Sequence, residues 1–434
     1  MQELLVYTPK ITPRVTYVFK HICTRILGIQ VVCTTAVEEF VAFSGPKMVY
    51  GSQPSGNAFF VKNHGLLVEQ GITDVTIHVK PWEETVGFFP TSDLSSLPFD
   101  IFAASFYLLS RYEEYLPHVK DSMGRYPCKE SLGHSGGFLQ NPVVDIWAFK
   151  FLEALRGKFP NIQANPGAFN MLNLIDISEA YKYKNKGFLR TFFGIGKDLG
   201  RFKFRSLLYR TRVLLTLSKD PNDTFDWIVE IGKKFKVPYS VFFQIGDYSQ
   251  YDYNISQHKK QYRSLIKSMA DYAPVGLRIS HRSLEDFAQL KEEKRRLEAI
   301  VNRPITASIN ASGILNMPEI LRQLIDLEIT ENYSMGYATS VGFRAGTCRP
   351  FYFYDLDFEV QTPLKFVPYA ISLEALKGQT QEELLETVAA LKDQVKLVHG
   401  QLVVVYNNHD FALSLDNRSW RPLYTELIQD EPQG

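Results

Sequence analysis

From residue 169 onward, short apolar segments alternate with charged segments of helical periodicity, and this alternation limits the fold more than any other feature. In one helical segment Phe225, Ile228 and Val229 recur at the spacing of a single helix face. Parallel strands need a crossover connection each time, usually a helix. The pattern therefore predicts an α/β fold, a (β/α) barrel of seven or eight strands. The predicted strands are 171–177, 239–245, 275–279, 306–309, 329–331 with Tyr333, 341–344, 366–367 and 402–406, and the predicted helices are 223–235, 257–272, 284–301, 318–327 and 381–397.

The segment before this alternation predicts a smaller α/β domain. Its opening, residues 4–34, has the pattern of a strand, a helix and a second strand. A long apolar helix is predicted over residues 98–116. Residues 160–166 contain two prolines and two asparagines and are typical of a linker. We therefore predict an N-terminal α/β domain over residues 1–165 and the barrel over residues 166–434.

Composition excludes several function classes. The 48 basic and 47 acidic residues give a formal net charge of +1, so no sequence-wide basic field exists to hold a nucleic acid. The sequence has no run of about 18 apolar residues, and the first residues lack a basic segment, so we expect a cytoplasmic protein with no membrane span. The four cysteines are scattered and lack zinc-ribbon spacing, and we expect them to be reduced.

Polar residues follow most of the predicted barrel strands. In such a barrel the carboxyl ends of the strands meet at one face, where active sites lie. Asp176 is the carboxylate of the first barrel strand and stands between Ile175 and Ile177. An unpaired buried carboxylate is costly, so we expect a basic partner and predict Arg344. The other polar residues of this set are Ser178, Gln244, Asp247, Arg278, His281, Asn310, Asp355, Tyr369, Asn407, Asn408, His409 and Asp410.

One motif carries a family resemblance. It spans residues 176–190, DISEAYKYKNKGFLR, and resembles the first motif of a bacterial branch of the polysaccharide deacetylase family, the NodB homology domain. The N-terminal segments 102–117 and 124–127 resemble the extra domain that precedes the barrel in that branch. Further segments similar to that branch occur in the same order as in its members, at 223–227, 242–248, 275–277, 282–283, 329–331 with 335–337, and 342–348 with 350–355. The resemblance therefore covers nearly the whole chain.

The resemblance implies a reaction and also implies that its metal site is degenerate. Family members hydrolyse N- or O-acetyl groups on sugars with a divalent metal held by one Asp and two His, and a second Asp is the general base. Asp176 keeps the general-base position, whereas the three metal-ligand positions fall on Ser178, on Arg278 and at or beside Asn310. The closing aromatic-His pair ends in Asn407 here. Arginine has no lone pair to donate to a metal, so we expect no metal cofactor and little or no acetyl hydrolysis.

The predicted function is that of a polysaccharide deacetylase-like protein of carbohydrate or cell-envelope metabolism, with a binding or regulatory role. Two alternatives stay open. One is an active metal-dependent deacetylase with rearranged ligands, Asp176, His281 and His409, and the other is a non-enzymatic interaction module that acts through its N-terminal domain. The expected partner is a carbohydrate, and the oligomeric state is left open. The predicted catalytic pair is Asp176 and Arg344, and the predicted substrate pocket is lined by Ser178, Arg278, His281, Asn310, Asp355, Asn407 and His409.

Overall fold

The computed structural model of the protein describes residues 3–200, 202, 204–253, 255–413 and 420–429 and has a mixed α/β fold, as predicted. The N-terminal part contains a four-stranded parallel sheet in the order β2-β1-β3-β4 and a two-stranded antiparallel sheet of β5 and β6. Its elements are β1 (Glu3–Tyr7), α1 (Pro13–Phe19), β2 (Gln30–Thr34), α2 (Val37–Ala42), β3 (Lys47–Gly51), β4 (Phe59–Lys62), β5 (Lys80–Trp82), β6 (Thr85–Gly87), α3 (Ile101–Leu109), α4 (Tyr112–Tyr115), α5 (Leu132–Ser135) and α6 (Val143–Lys158).

The C-terminal part is built on a nine-stranded sheet in the order β12-β13-β11-β10-β9-β8-β7-β15-β14. All neighbouring pairs are parallel except β12 with β13. Its elements are β7 (Asn170–Ile177), α7 (Phe188–Gly200), α8 (Phe204–Leu214), α9 (Phe225–Phe235), β8 (Tyr239–Gln244), α10 (Lys260–Ala270), β9 (Val275–Ile279), α11 (Phe287–Val301), β10 (Ala307–Asn310), α12 (Glu319–Asp326), β11 (Glu331–Asn332), β12 (Phe351–Asp355), β13 (Val360–Phe366), β14 (Ile371–Ser372), α13 (Gln381–Leu397), β15 (Gln401–Asn407) and α14 (Arg421–Gln429).

One short segment contacts two strands that are five places apart in this sheet, β11 and β15. Just after β13, the backbone N–H of Val367 donates to the carbonyl of Asn332, which belongs to β11. Three residues later, the N–H of Ala370 donates to the carbonyl of Val403 on β15, and β14 continues this pairing. Because so short a segment spans only about 10–13 Å, the sheet must curve strongly around an interior.

Apolar side chains fill the interior of the curved sheet. Phe242 on β8 packs against Tyr333, which follows β11, with ring centroids 5.2 Å apart although two strands lie between them. Gly276 on β9 makes this possible, because a Cβ atom there would lie 2.4 Å from the Phe242 ring. The interior cluster consists of Leu174, Phe242, Ile309, Tyr333, Val367, Tyr369, Val403 and Val405.

Two predicted elements are wrong in detail. Residues 341–344 form a loop instead of a strand, and β12, which begins seven residues later, pairs antiparallel with β13. The predicted helix 98–116 is broken into α3 and α4 at Arg111, whose φ of 53° is left-handed. The buried Arg111 side chain pairs with Glu113 and Glu114. These two buried ion pairs hold the break.

Two further expectations from the sequence concern membrane-spanning helices and the state of the cysteines. Among the described residues, none of the helices is both long and apolar enough to cross a membrane. All four cysteines, Cys23, Cys33, Cys128 and Cys348, are free thiols. The expectation that they are reduced agrees with this state.

Candidate functional site

Asp176 and Arg278 form an ion pair at the carboxyl end of the sheet. Residues that pair across neighbouring strands share a face. Arg278 pairs with Ile309 and with Gln244, and Asp176 lies two residues after Leu174, so these side chains point into the curved interior. The Nε atom of Arg278 lies 2.7 Å from Oδ1 of Asp176, although its N–H is not aligned for a hydrogen bond.

This ion pair corrects one prediction and matches another. Burial raises the pKa of Asp176, and the Arg278 cation opposes that rise. The predicted partner, Arg344, instead donates to both carboxylate oxygens of Glu114, at 2.8 and 2.6 Å. The pairing of Asp176 with Arg344 was therefore wrong, while the need of Asp176 for a cation was predicted correctly. Arg344 still lies near the interior cluster, because its Nη1 donates to the carbonyl of Gly336 at 3.2 Å, and Gly336 packs against the ring of Tyr369.

Gln244 connects this ion pair to a second polar group. Its side-chain oxygen accepts from Nη1 of Arg278 at 2.9 Å, and its Nε2 donates to Oδ1 of Asp252 at 2.8 Å. Asp252 is fully buried in the loop after β8 and also accepts from Ser249 Oγ at 2.7 Å. Burial opposes ionisation of Asp252, but hydrogen bonds from His281 and Ser249 outweigh it and lower its pKa to about 2.

His281 occupies the centre of this second group. Its backbone N–H and its Nδ1 both lie 3.1 Å from Oδ1 of Asp252, and its Nε2 lies 3.2 Å from Oγ of Ser312. Ser312 lies on the turn after β10 with a left-handed φ of 52°. The exposed ring of Tyr251 lies 5.4 Å from the His281 ring. Three neighbouring strands, β8, β9 and β10, thus place these groups at one end of the sheet.

Asn407 and His409 lie on the other side of Asp176. Asn407 pairs with Asp176 across β15 and β7, and its backbone N–H donates to Oδ2 of Asp410 at 2.7 Å. The side chain of His409 is 38% exposed, with Nε2 3.8 Å from Oδ1 of Asp410. The His409 ring is close enough for its charge to lower the pKa of Asp176. Ser178 directly follows β7, two residues after Asp176.

Two predicted pocket residues lie elsewhere. Asn310 points away from the interior, since it pairs with Ile279 and not with Arg278, and its side chain donates to the carbonyl of Ile314 at 2.8 Å. Asp355 at the end of β12 accepts two hydrogen bonds from Arg322 on α12, at 2.7 and 2.8 Å. Both side chains are therefore used in joining elements of the fold.

The side chains around Asp176 and His281 do not fit a metal ion. The guanidinium of Arg278 occupies the space beside the Asp176 carboxylate, and a fixed positive charge there repels a second cation. Both ring nitrogens of His281 already lie within hydrogen-bond distance of Asp252 and Ser312. Within the described ranges, no three His, Cys, Asp or Glu side chains form a group that could hold a metal.

Three residues of this region were not selected from the sequence. Asp252 and Ser312 lie in loops, where periodicity gives no information about direction, although each follows a strand end in the chain. Glu114 follows the apolar face of the predicted helix 98–116, and its burial is the signal that it needs a cation.

Comparison with known proteins gives a family match and several similar structures. A family of unknown function (DUF7033) matches residues 4–160. No curated protein matches the chain significantly. A protein assigned as a polysaccharide deacetylase from Mycobacterium smegmatis is 10% identical, with a TM-score of 0.38, over 61% of this chain and 84% of its own. A CE4 family pseudoenzyme from Bacillus anthracis is 13% identical, with a TM-score of 0.32, over 61% of each chain. An allantoinase is 8% identical, with a TM-score of 0.35, over 59% of this chain and 83% of its own.

Proposed function

We propose that this protein is a carbohydrate-binding relative of the polysaccharide deacetylases, acting in carbohydrate or cell-envelope metabolism, that has lost metal-dependent hydrolysis. Residues 166–434 would form the family's barrel and residues 1–165 a separate α/β domain. The ordered series of family-like segments from residue 176 to residue 355 supports the relationship. The four-stranded sheet and the family match over residues 4–160 support the division.

The closed barrel is supported by the segment 366–372. It hydrogen-bonds to β11 at one end and to β15 at the other, and these strands lie on opposite sides of the parallel array. The apolar interior cluster has members on β7, β8, β10 and β15, as side chains pointing inward in a barrel would have. A barrel would bring the Asp176 and Asp252 groups to the mouth where family members bind substrate.

The observation that carries the proposed loss of chemistry is the Asp176–Arg278 ion pair. Arg278 supplies a fixed cation at 2.7 Å from the carboxylate that would otherwise act as general base. Burial raises the pKa of Asp176, but the guanidinium opposes this rise and occupies the space beside the carboxylate. Without a metal, a water molecule would also keep its pKa far above the value of about 7 that a bound zinc ion gives it. Asp176 would therefore gain no activated water.

Carbohydrate binding is supported by aromatic side chains at the same end. Tyr248, Tyr251 and Tyr253 follow β8 and are 53%, 58% and 55% exposed. Aromatic side chains with a few convergent polar groups are typical of small-molecule sites.

The four free cysteines fit the expected cytoplasmic compartment.

The two alternatives have less support. Rearranged metal binding by Asp176, His281 and His409 would require His281 to give up its contact with Asp252 or with Ser312. An N-terminal interaction module acting alone would leave Arg344 without Glu114, its buried partner.

Metal analysis of protein purified without chelators tests the proposal. We expect less than about 0.1 equivalent of zinc, cobalt or nickel per chain, since such sites need three ligands and an open position. We also expect no metal-stimulated acetate release from N-acetylglucosamine oligomers, and measurable binding of such an oligomer by calorimetry. Stoichiometric metal with acetate release that Asp176→Asn abolishes would establish the rearranged hydrolase instead. Absence of oligomer binding would contradict the carbohydrate role.

A further inference from the structure

Asp252, His281 and Ser312 form a continuous chain of polar contacts at the ends of three adjacent strands. Asp252 Oδ1 lies 3.1 Å from His281 Nδ1, and His281 Nε2 lies 3.2 Å from Ser312 Oγ. These three side chains are an acid, a base and a hydroxyl in the order that activates a serine nucleophile. The arrangement is recognised by geometry and roles, which are independent of the fold.

The protonation states in this chain follow from Asp252. Its pKa is lowered to about 2, so at neutral pH it is a carboxylate and can only accept hydrogen bonds. The Nδ1 atom of His281 must therefore carry a proton and donate it toward Asp252. In the neutral form of this tautomer, Nε2 has a lone pair that can accept from the Ser312 hydroxyl. This is the tautomer that a general base for Ser312 requires.

Asp252 is held in place independently of His281. Gln244 Nε2 and Ser249 Oγ donate to its two oxygens at 2.8 and 2.7 Å, and its side chain is fully buried. His281, by contrast, is 14% exposed at its side chain. A buried, fixed acid beside a partly accessible base is the arrangement in which the acid orients the ring.

Ser312 lies on a strained turn at the rim of the sheet. Its φ of 52° and the φ of 68° at Gly313 are both left-handed, and its side chain is half-buried. Strained backbone at a non-glycine residue is enriched at functional sites. Nη1 of Arg125, from the N-terminal part, donates to the Ser312 carbonyl oxygen at 3.4 Å, and Nε of the same guanidinium pairs with Asp121 at 2.7 Å. This contact ties the turn of Ser312 to the N-terminal part.

We propose that Ser312 is a nucleophile activated by His281, with Asp252 as the positioning residue, and that this site cleaves O-acyl esters of hydroxylated compounds such as acylated sugars without a metal. This goes beyond the proposed function, which concerns Asp176 and metal-dependent hydrolysis. Gln244 connects the site to the Asp176–Arg278 pair.

The reaction needs only the ester and water. Ser312 Oγ forms a bond to the acyl carbon while its proton moves to His281 Nε2, and the ester C–O bond then breaks as that proton passes to the leaving alcohol oxygen. Water next attacks the acyl carbon and gives a proton to His281. The bond from the acyl carbon to Ser312 Oγ breaks, the proton returns to Ser312, and a carboxylic acid is released.

Covalent labelling of the full chain tests the proposal. A fluorophosphonate probe forms a bond between phosphorus and the reactive serine oxygen and releases fluoride. We expect one adduct per chain in the intact mass, mapped to Ser312, and hydrolysis of p-nitrophenyl acetate that EDTA does not change. Ser312→Gly should abolish both signals while the protein stays folded, since glycine adopts the left-handed φ without strain. His281→Asn should slow labelling by about 10²-fold or more.

Matched controls separate catalysis from structure. Ser268→Ala removes an exposed serine of α10, and His258→Asn removes an exposed histidine before α10; both should label like the unmodified protein. The proposal would be overturned by a folded protein with no adduct at Ser312, or by ester hydrolysis that is as fast in Ser312→Gly as in the unmodified protein. The three side chains would then only stabilise the loops that contain them. Neither result depends on metal content, so the test fails or succeeds separately from that of the proposed function.

Discussion

Asp252 should make the stability of this protein depend on acid pH. Its folded pKa of about 2 lies below the ordinary value of 3.8, so its contribution is present above pH 3.8 and is lost as the pH falls toward 2. Between pH 5 and pH 3 we expect the free energy of unfolding to fall by about 0.5 to 1 kcal/mol from this group, less than the full conversion of the shift because the rest of the loss falls below pH 3. Urea unfolding at pH 5 and pH 3 measures it, and Asp252→Asn should lack this loss.

The control for this prediction is Asp271→Asn, which removes an exposed carboxylate that directly follows α10. It should leave the pH dependence of the unmodified protein unchanged. An equal loss of stability between pH 5 and pH 3 in Asp252→Asn would mean that Asp252 is not the carboxylate responsible.

Residue-scale prediction from the sequence worked where alternation fixes direction. Asp176 and Arg278 lie on regular strands, so their side chains point to the same interior, and a cation for Asp176 could be expected. Arg344 lies in a loop, where no register relates it to β7. A loop residue can be assigned a partner only when the packing of distant segments is known, and that information is absent from the local pattern.

At the scale of elements, the loop 341–344 shows why an apolar run was mistaken for a strand. Val341 and Phe343 are buried, as strand residues would be. Their backbone, however, contacts segments far apart in the chain: Gly342 N–H donates to the carbonyl of Ala370 at 2.8 Å, and Phe343 N–H to that of Leu139 at 2.7 Å. Periodicity cannot distinguish a short buried strand from a buried loop with such partners.

Gly342 should be intolerant of a side chain. Its φ is 128°, and a Cβ atom would lie 2.4 Å from the Leu139 carbonyl oxygen, a backbone atom that cannot rotate away. Gly342→Ala should reduce the free energy of unfolding by about 2 to 5 kcal/mol, from backbone strain and overpacking together. Gly378→Ala separates the two causes, since Gly378 has a φ of 91° with nothing within 4 Å of an added Cβ. If Gly342→Ala and Gly378→Ala lost the same free energy of unfolding in chemical denaturation, the contact with Leu139 would make no contribution to stability.

At the scale of the whole molecule, buried ion pairs join the N-terminal part to the sheet of the C-terminal part. Glu114 on α4 accepts from Arg344 and from Arg111, and all three side chains are at most 3% exposed. Nη1 of Arg111 also donates to the Arg344 backbone carbonyl. Glu114 and Arg344 lie 230 residues apart in the chain. The sequence therefore predicts two domains but not the ion pair between them.

Glu114→Gln should therefore weaken the whole molecule. Burial opposes ionisation of Glu114, but the two arginines outweigh it and lower its pKa to about 2. Replacing it leaves the buried guanidinium of Arg344 without its carboxylate partner, whereas Arg111 keeps Glu113, and breaking such a pair costs about 3 to 5 kcal/mol. Thermal unfolding should show a lower midpoint, and limited proteolysis should cut first between the two parts. Glu153→Gln, an exposed glutamate on α6, is the matched control and should change neither measurement. If Glu114→Gln unfolded like that control, the ion pairs would only accompany an interface held by its apolar contacts, among them Tyr17 with Tyr354 at 5.1 Å.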